Sequence, residues 1–131
     1  MRDDEGRVRT ILDRWSQSIA RRDIDSLLTL FAPDALFVAT APTPLRGAVA
    51  IAAYYRAAPN GLTATAEVVD IARDGDGDGD GDGDGVGLVA VAKVCFEVPE
   101  LGRRTGTLTL ALRPTGTGQD RITLYHAALD G

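Results

Sequence analysis

The hydrophobic pattern of this chain changes period once, at Leu62, and that change divides it into a largely helical part and a strand part. Before it, apolar residues recur mostly at three- and four-residue spacing. After it, segments rich in Val, Thr, Leu and Ile are separated by turn signals. Val8, Ile11, Leu12, Trp15 and Ile19 form one stripe along a helix over 7–22, with Arg7, Arg9, Asp13, Arg14 and Gln17 off it. Asp3, Asp4 and Glu5 suit the positive end of that helix and Arg21-Arg22 its negative end. Asp23 is the expected N-cap of a second helix through Phe31, with Ile24, Leu27, Leu28 and Phe31 inward and Pro33 as its stop. Residues 34–39 read as a short strand and Pro42 and Pro44 as loop. A third helix is expected over 48–58, with Ile51, Tyr54, Tyr55 and Ala58 on one face, ended by Pro59-Asn60-Gly61. Strands are predicted at 62–73, 86–98, 104–113 and 121–129. Sequential strands joined by short turns pair antiparallel. Helices first and strands afterwards argue for an α+β fold over an alternating α/β one.

A length of 131 residues suits one domain spanning 1–131. With 44% hydrophobic and 25% charged residues, the composition is that of an ordinary soluble protein, and only 5% aromatics leaves a mainly aliphatic core. No apolar run approaches the ~20 residues that span a bilayer. Residues 1–6 lack the apolar core of a secretory signal. Cys95 is the single cysteine, so no internal disulfide can form and a reducing cytoplasm is the simplest compartment.

The net charge of −5 arises from six aspartates between Asp74 and Asp84, and without them the balance is +1. The nearly neutral remainder offers no basic stripe interleaved with aromatics, which argues against a nucleic-acid partner. Residues 74–85 alternate Asp and Gly, predicting a mobile hairpin loop between two strands. Asp74, Asp76 and Asp78-Gly79 match the opening of an EF-hand calcium loop. Gly85, however, stands where the bidentate Glu belongs, and strands replace the flanking helices. One histidine and one cysteine give no metal-ligand set, and no cofactor is expected.

Trp15, Arg22-Asp23-Ile24-Asp25, Leu30-Phe31-Ala32-Pro33-Asp34-Ala35, Arg46-Gly47 and Ile51-Ala52-Ala53-Tyr54-Tyr55 together resemble the nuclear transport factor 2-like superfamily. Within it the chain is most similar to the SnoaL-like branch, in the group of SgcJ/EcaC-type proteins and the calmodulin-dependent kinase II association domain. The segment Asp120-Arg121-Ile122-Thr123-Leu124-Tyr125-His126-Ala127 resembles the last strand of that group. The resemblance implies a cystatin-like cone, with three N-terminal helices packed in a curved, mainly antiparallel sheet around a pocket. It also implies homodimers through the outer sheet face. Apolar residues on both faces of the last two strands independently make a bare outer face unfavourable. Ketosteroid-isomerase relatives carry a catalytic aspartate where Ala39 aligns, and a donor tyrosine where Trp15 stands. Their mechanism therefore does not transfer.

His126, the sole histidine, alternates with Ile122, Leu124 and Ala128. If that face points into the cone, it is a candidate general base. Glu97 alternates with Cys95 and Lys93; an inward carboxylate among apolar walls would have a raised pKa and serve as acid or base. Against both stands the plainer reading of a satisfied strand histidine and a solvent-facing strand-end glutamate. Trp15, Phe37, Tyr54 and Tyr55 are candidate pocket walls, Arg46 could reach an anion at the rim, and Cys95 suits a small apolar filler. Two functions follow from the resemblance. One is a polyketide cyclase or isomerase-like enzyme of secondary metabolism, moving a proton next to a carbonyl, with Tyr54, Tyr55 or Trp15 donating to the oxyanion. The other is a non-catalytic dimeric module for an apolar ligand.

Overall fold

The computed structural model describes residues 4–39, 43–74, 87–115 and 119–130. Helix α1 (Asp4–Arg21) buries the expected stripe of Val8, Ile11, Leu12, Trp15 and Ile19, and Ser18 with it. Arg7 grips Asp120 with two hydrogen bonds, Nε–Oδ2 at 3.0 Å and Nη2–Oδ1 at 2.7 Å, which ties the start of α1 to the far end of the chain.

Helix α2 (Ile24–Leu28) is capped by Asp23, whose carboxylate accepts from the Ser26 hydroxyl at 2.8 Å and the Ser26 N–H at 3.2 Å. Those two bonds hold its carboxyl below the usual aspartate range. The helix is shorter than the pattern predicts, because Phe31 opens strand β1 (Phe31–Val38) instead of closing α2. The Leu30 carbonyl accepts from the Ile122 N–H at 2.7 Å, so pairing with a distant strand wins over local helix propensity. Pro33 lies inside β1, in the stretch where the register slips between Phe31 and Leu36 and no ladder donor is demanded of it.

A two-residue strand β2 (Leu45–Arg46) precedes α3 (Ala48–Arg56), with Gly47 at φ 89° turning the chain into the helix. Strands β3 (Thr63–Asp74), β4 (Gly87–Val98), β5 (Gly102–Pro114) and β6 (Asp120–Leu129) follow. The sheet order is β2-β1-β6-β5-β4-β3, antiparallel except where β1 runs parallel to β6. The sheet curves around the helices in the α+β arrangement that the resemblance implies. Beyond Asp74, the Asp-Gly run lies outside the described residues, and so does the mobile loop expected there.

The sheet has two distinct faces. Leu88, Ala90, Ala92, Val94, Leu108, Leu110 and Leu112 are buried against the helices. Val89, Val91, Lys93, Cys95 and Glu97 alternate with the β4 members of that set and point outward. Fully burying one such aliphatic side chain is worth roughly 1.5–3 kcal/mol. Where β5 passes β6, a Cβ on Gly106 would run into the backbone of Ala128 and Leu129, so no larger residue fits that approach. In β6 the register slips between Leu112, paired with Ile122, and Ala111, paired with Leu124. Thr123 is the extra residue. Ile122 and Tyr125 therefore both face inward although three positions apart, and every residue beyond the slip changes face relative to strict alternation.

Candidate functional site

A cavity of about 490 Å³ opens where the end of α3 meets the ends of the strands. Tyr54, Tyr55, Ala57, Ala58 and Pro59 form one wall, with Leu62 beyond the turn. Phe96, Tyr125, Ala127 and Leu129 form the sheet wall, Ala39 closes the β1 side, and Leu101 and Arg104 stand at the β4–β5 hairpin. The wall at α3 is fixed by an unusual fastening. Arg22 occupies the left-handed region at φ 54°, and its guanidinium donates to the carbonyls of Arg56, Ala58 and Pro59 at 3.1–3.2 Å. The Arg56 carbonyl is one that the C-terminus of α3 leaves without an intrahelical partner, and those of Ala58 and Pro59 belong to the turn that follows.

Behind the walls lies a ring cluster. Phe37 stacks on Tyr125 with centroids 4.3 Å apart and planes 4° from parallel. Tyr54 and Tyr55 meet Phe37 at 4.9 and 5.6 Å, and Trp15 meets Phe96 edge-on at 5.9 Å. Trp15 Nε1 donates to the Tyr55 hydroxyl at 3.1 Å, and Tyr55 shares a hydrogen bond with Tyr125. Trp15 can only donate, while each tyrosine can both donate and accept. Tyr55 and Tyr125 both border the cavity. Burial pushes the pKa of both hydroxyls well above the usual tyrosine value, so they stay protonated as donors and do not act as bases.

The expected site residues divide between the two faces. Tyr54 and Tyr55 line the cavity, and Trp15 and Phe37 are buried one layer behind it. His126 does not face inward: it is exposed on the outer face, paired in register with Thr109 and Val38, because the Thr123 slip reverses the alternation that grouped it with Ile122. Glu97 also departs from the inward expectation. It is exposed at the end of β4 and accepts from Arg103 Nε at 3.2 Å across the strand pair. Cys95 is half-buried on the same outer face, between Thr65 and Thr105. Arg46 lies away from the cavity wall, exposed, donating to the Asp34 carbonyl at 3.3 Å. Tyr125, Phe96, Leu101 and Arg104 were not singled out from the sequence. Strict alternation puts Tyr125 opposite His126, so a slip after Ile122 is the one signal that exchanges them. Among the described residues no group of three or more His, Cys, Asp or Glu could hold a metal ion, and no helix is long and apolar enough to cross a membrane.

The SnoaL-like domain family matches residues 12–120. No curated protein matches the chain. Among solved structures, a Nostoc punctiforme protein with a cystatin-like fold superposes with a TM-score of 0.73 at 14% identity, over 97% of this chain and 91% of that one. A ketosteroid isomerase-like protein from Erwinia carotovora atroseptica gives 0.72 at 11% identity, over 100% and 99%. An NTF2-like protein from Pseudomonas putida gives 0.70 at 18% identity, over 95% and 84%. At such identities the likeness is one of fold.

Proposed function

The chain belongs to the SnoaL-like domain family, and on that premise we propose that it is a small-molecule binding protein whose cavity holds an apolar, carbonyl-bearing ligand of polyketide type without supplying a catalytic base. The composition of the cavity wall carries this reading. Its inner end presents tyrosine hydroxyls kept protonated by burial, and no Asp, Glu or His stands among its described lining residues. A donor aimed at a carbonyl oxygen polarises it, but removing the neighbouring proton also needs a base within hydrogen-bond reach. Ala39, aligned with the isomerase aspartate, contributes only a methyl group to the wall. The enzymatic alternative, cyclisation or isomerisation by proton transfer, relied on His126 or Glu97, and both side chains are exposed away from the cavity.

Titration with acetylnaphthalene, followed by its infrared carbonyl band, tests the reading. Saturable binding with the band moved to lower wavenumber is expected, and Tyr55→Phe and Tyr125→Phe should reverse part of that movement. Failure to saturate, or an unmoved band, would remove the hydrogen-bonded carbonyl. Deuterium exchange at the ligand's methyl group should match that in buffer. Exchange accelerated by the protein would overturn the non-catalytic reading.

The outer face supports a second copy of the chain as its cover. Leu36, Leu124, Ala111 and Val89 form one continuous row across four strands, and Val38, His126, Thr109 and Val91 form the next. The first row is wholly apolar and the second mixes Val38 and Val91 with Thr109 and the exposed His126, and an apolar row in water favours an isologous partner.

A further inference from the structure

We infer that the ligand carries an anionic group at its outer end, held by Arg104. This rests on the binding function proposed above and narrows it to anionic amphiphiles: an apolar, carbonyl-bearing body with a carboxylate, sulfonate or phenolate.

Neighbouring arginines at the β4–β5 hairpin meet opposite fates. Arg103 faces outward, and its charge is matched by Glu97 at 3.2 Å. Arg104 pairs in register with Phe96 and stands on the cavity side of β5. It is the one charged side chain among the described lining residues, and no acidic group among them answers it. Arg22, which fastens the α3 wall and is not among the lining residues, has its guanidinium committed to three carbonyls. Beside Arg104, Leu101 is 76% exposed, so the mouth offers an apolar contact and a positive charge together. The inner end offers a tyrosine hydrogen to a neutral acceptor. The cavity is thus polarised along its length, neutral donor inside and cation outside, and a neutral hydrocarbon would use neither end. A guanidinium at an exposed mouth is screened by water, so the expected discrimination is modest, about fivefold. It should shrink as salt shortens the reach of the charge.

The test compares two fluorescent probes with one aromatic body, anilinonaphthalene sulfonate and its neutral analogue phenylnaphthylamine. Each is titrated into the full chain and into Arg104→Gln, Arg103→Gln and Ala127→Phe. The expected result is a preference for the sulfonate of about fivefold, lost in Arg104→Gln, kept in Arg103→Gln and reduced in concentrated salt. Both probes should be weakened by Ala127→Phe, which fills the cavity. If Ala127→Phe weakens both probes but their ratio is near one, or is the same in Arg104→Gln, Arg104 does not select charge and the inference fails while the cavity remains a binding site. If Ala127→Phe leaves both affinities unchanged, the probes do not enter the cavity, and the binding function falls along with the inference.

Discussion

In the aromatic cluster on the inner face of the sheet the polar atoms are hydroxyls and one indole N–H, enclosed by Phe31, Phe37 and Phe96, and the charge of Arg104 stands out at the cavity mouth. On the outer face stand the ionisable groups, His126, Glu97, Lys93 and Arg103, within reach of water. The contrast follows from what burial costs each type. A hydroxyl buried with a partner loses little, whereas an ion without one is heavily penalised. The inner face keeps groups that hold one protonation state over a wide pH range. The imidazole of His126 and the carboxylate of Glu97 lie where the apolar cavity cannot use them.

Four tests would break or sharpen this contrast. The largest effect belongs to the inner face. Phe37→Ala should cost about 3–5 kcal/mol in denaturant unfolding, because Phe37 touches Phe31, Tyr54, Tyr55 and Tyr125 and the space cannot collapse. A loss below about 1 kcal/mol would show the cluster to be loosely filled. Next comes the proposed cover of the outer face: Ala111→Glu places a charge in the apolar row and should weaken self-association at least about tenfold by sedimentation, with the monomer fold kept. A wild-type chain that sediments as a monomer would remove the second copy altogether.

The third test is alkaline titration. A raised tyrosine pKa in the folded state means that folded protein holds those protons more tightly than unfolded chain. Their stabilising contribution is intact below the ordinary value of 10.0 and is lost as pH rises beyond it. Tyrosinate absorbance should therefore leave Tyr55 and Tyr125 silent above pH 10.0 until unfolding, and Tyr125→Phe should cost about 1 kcal/mol through the lost hydrogen bond. The smallest effects belong to His126→Ala and Glu97→Gln, each within about 0.5 kcal/mol of wild type and without influence on probe affinity. A large fall in affinity for either would put the ionisable groups back into the site.

The elements were legible where a local pattern decided them. The α1 stripe, the Asp23 cap, the third helix and the four long strands lie close to their expected positions, since each rests on periodicity or turn chemistry within the segment itself. Phe31 was misplaced because its fate is set by Ile122, which lies far along the chain. His126 was misplaced for the same kind of reason: one unpaired residue, Thr123, carries no mark of its own, yet it reverses which side of β6 meets the core. Half of the candidate site was readable as an aromatic helix face, Tyr54 and Tyr55. The other half, Tyr125 and Arg104, depended on strand register, which adjacent residues do not encode.

The pairing of β1 with β6 has a consequence for biogenesis. The stacked floor of Phe37 and Tyr125 joins segments some ninety positions apart, so closing it demands a long entropic search that hairpins do not face. On a ribosome the β3–β4–β5 meander can assemble early, but the hollow has no base until β6 emerges. A partly synthesised chain would therefore display a greasy trough in place of a receptacle, and would need shielding until that strand docks.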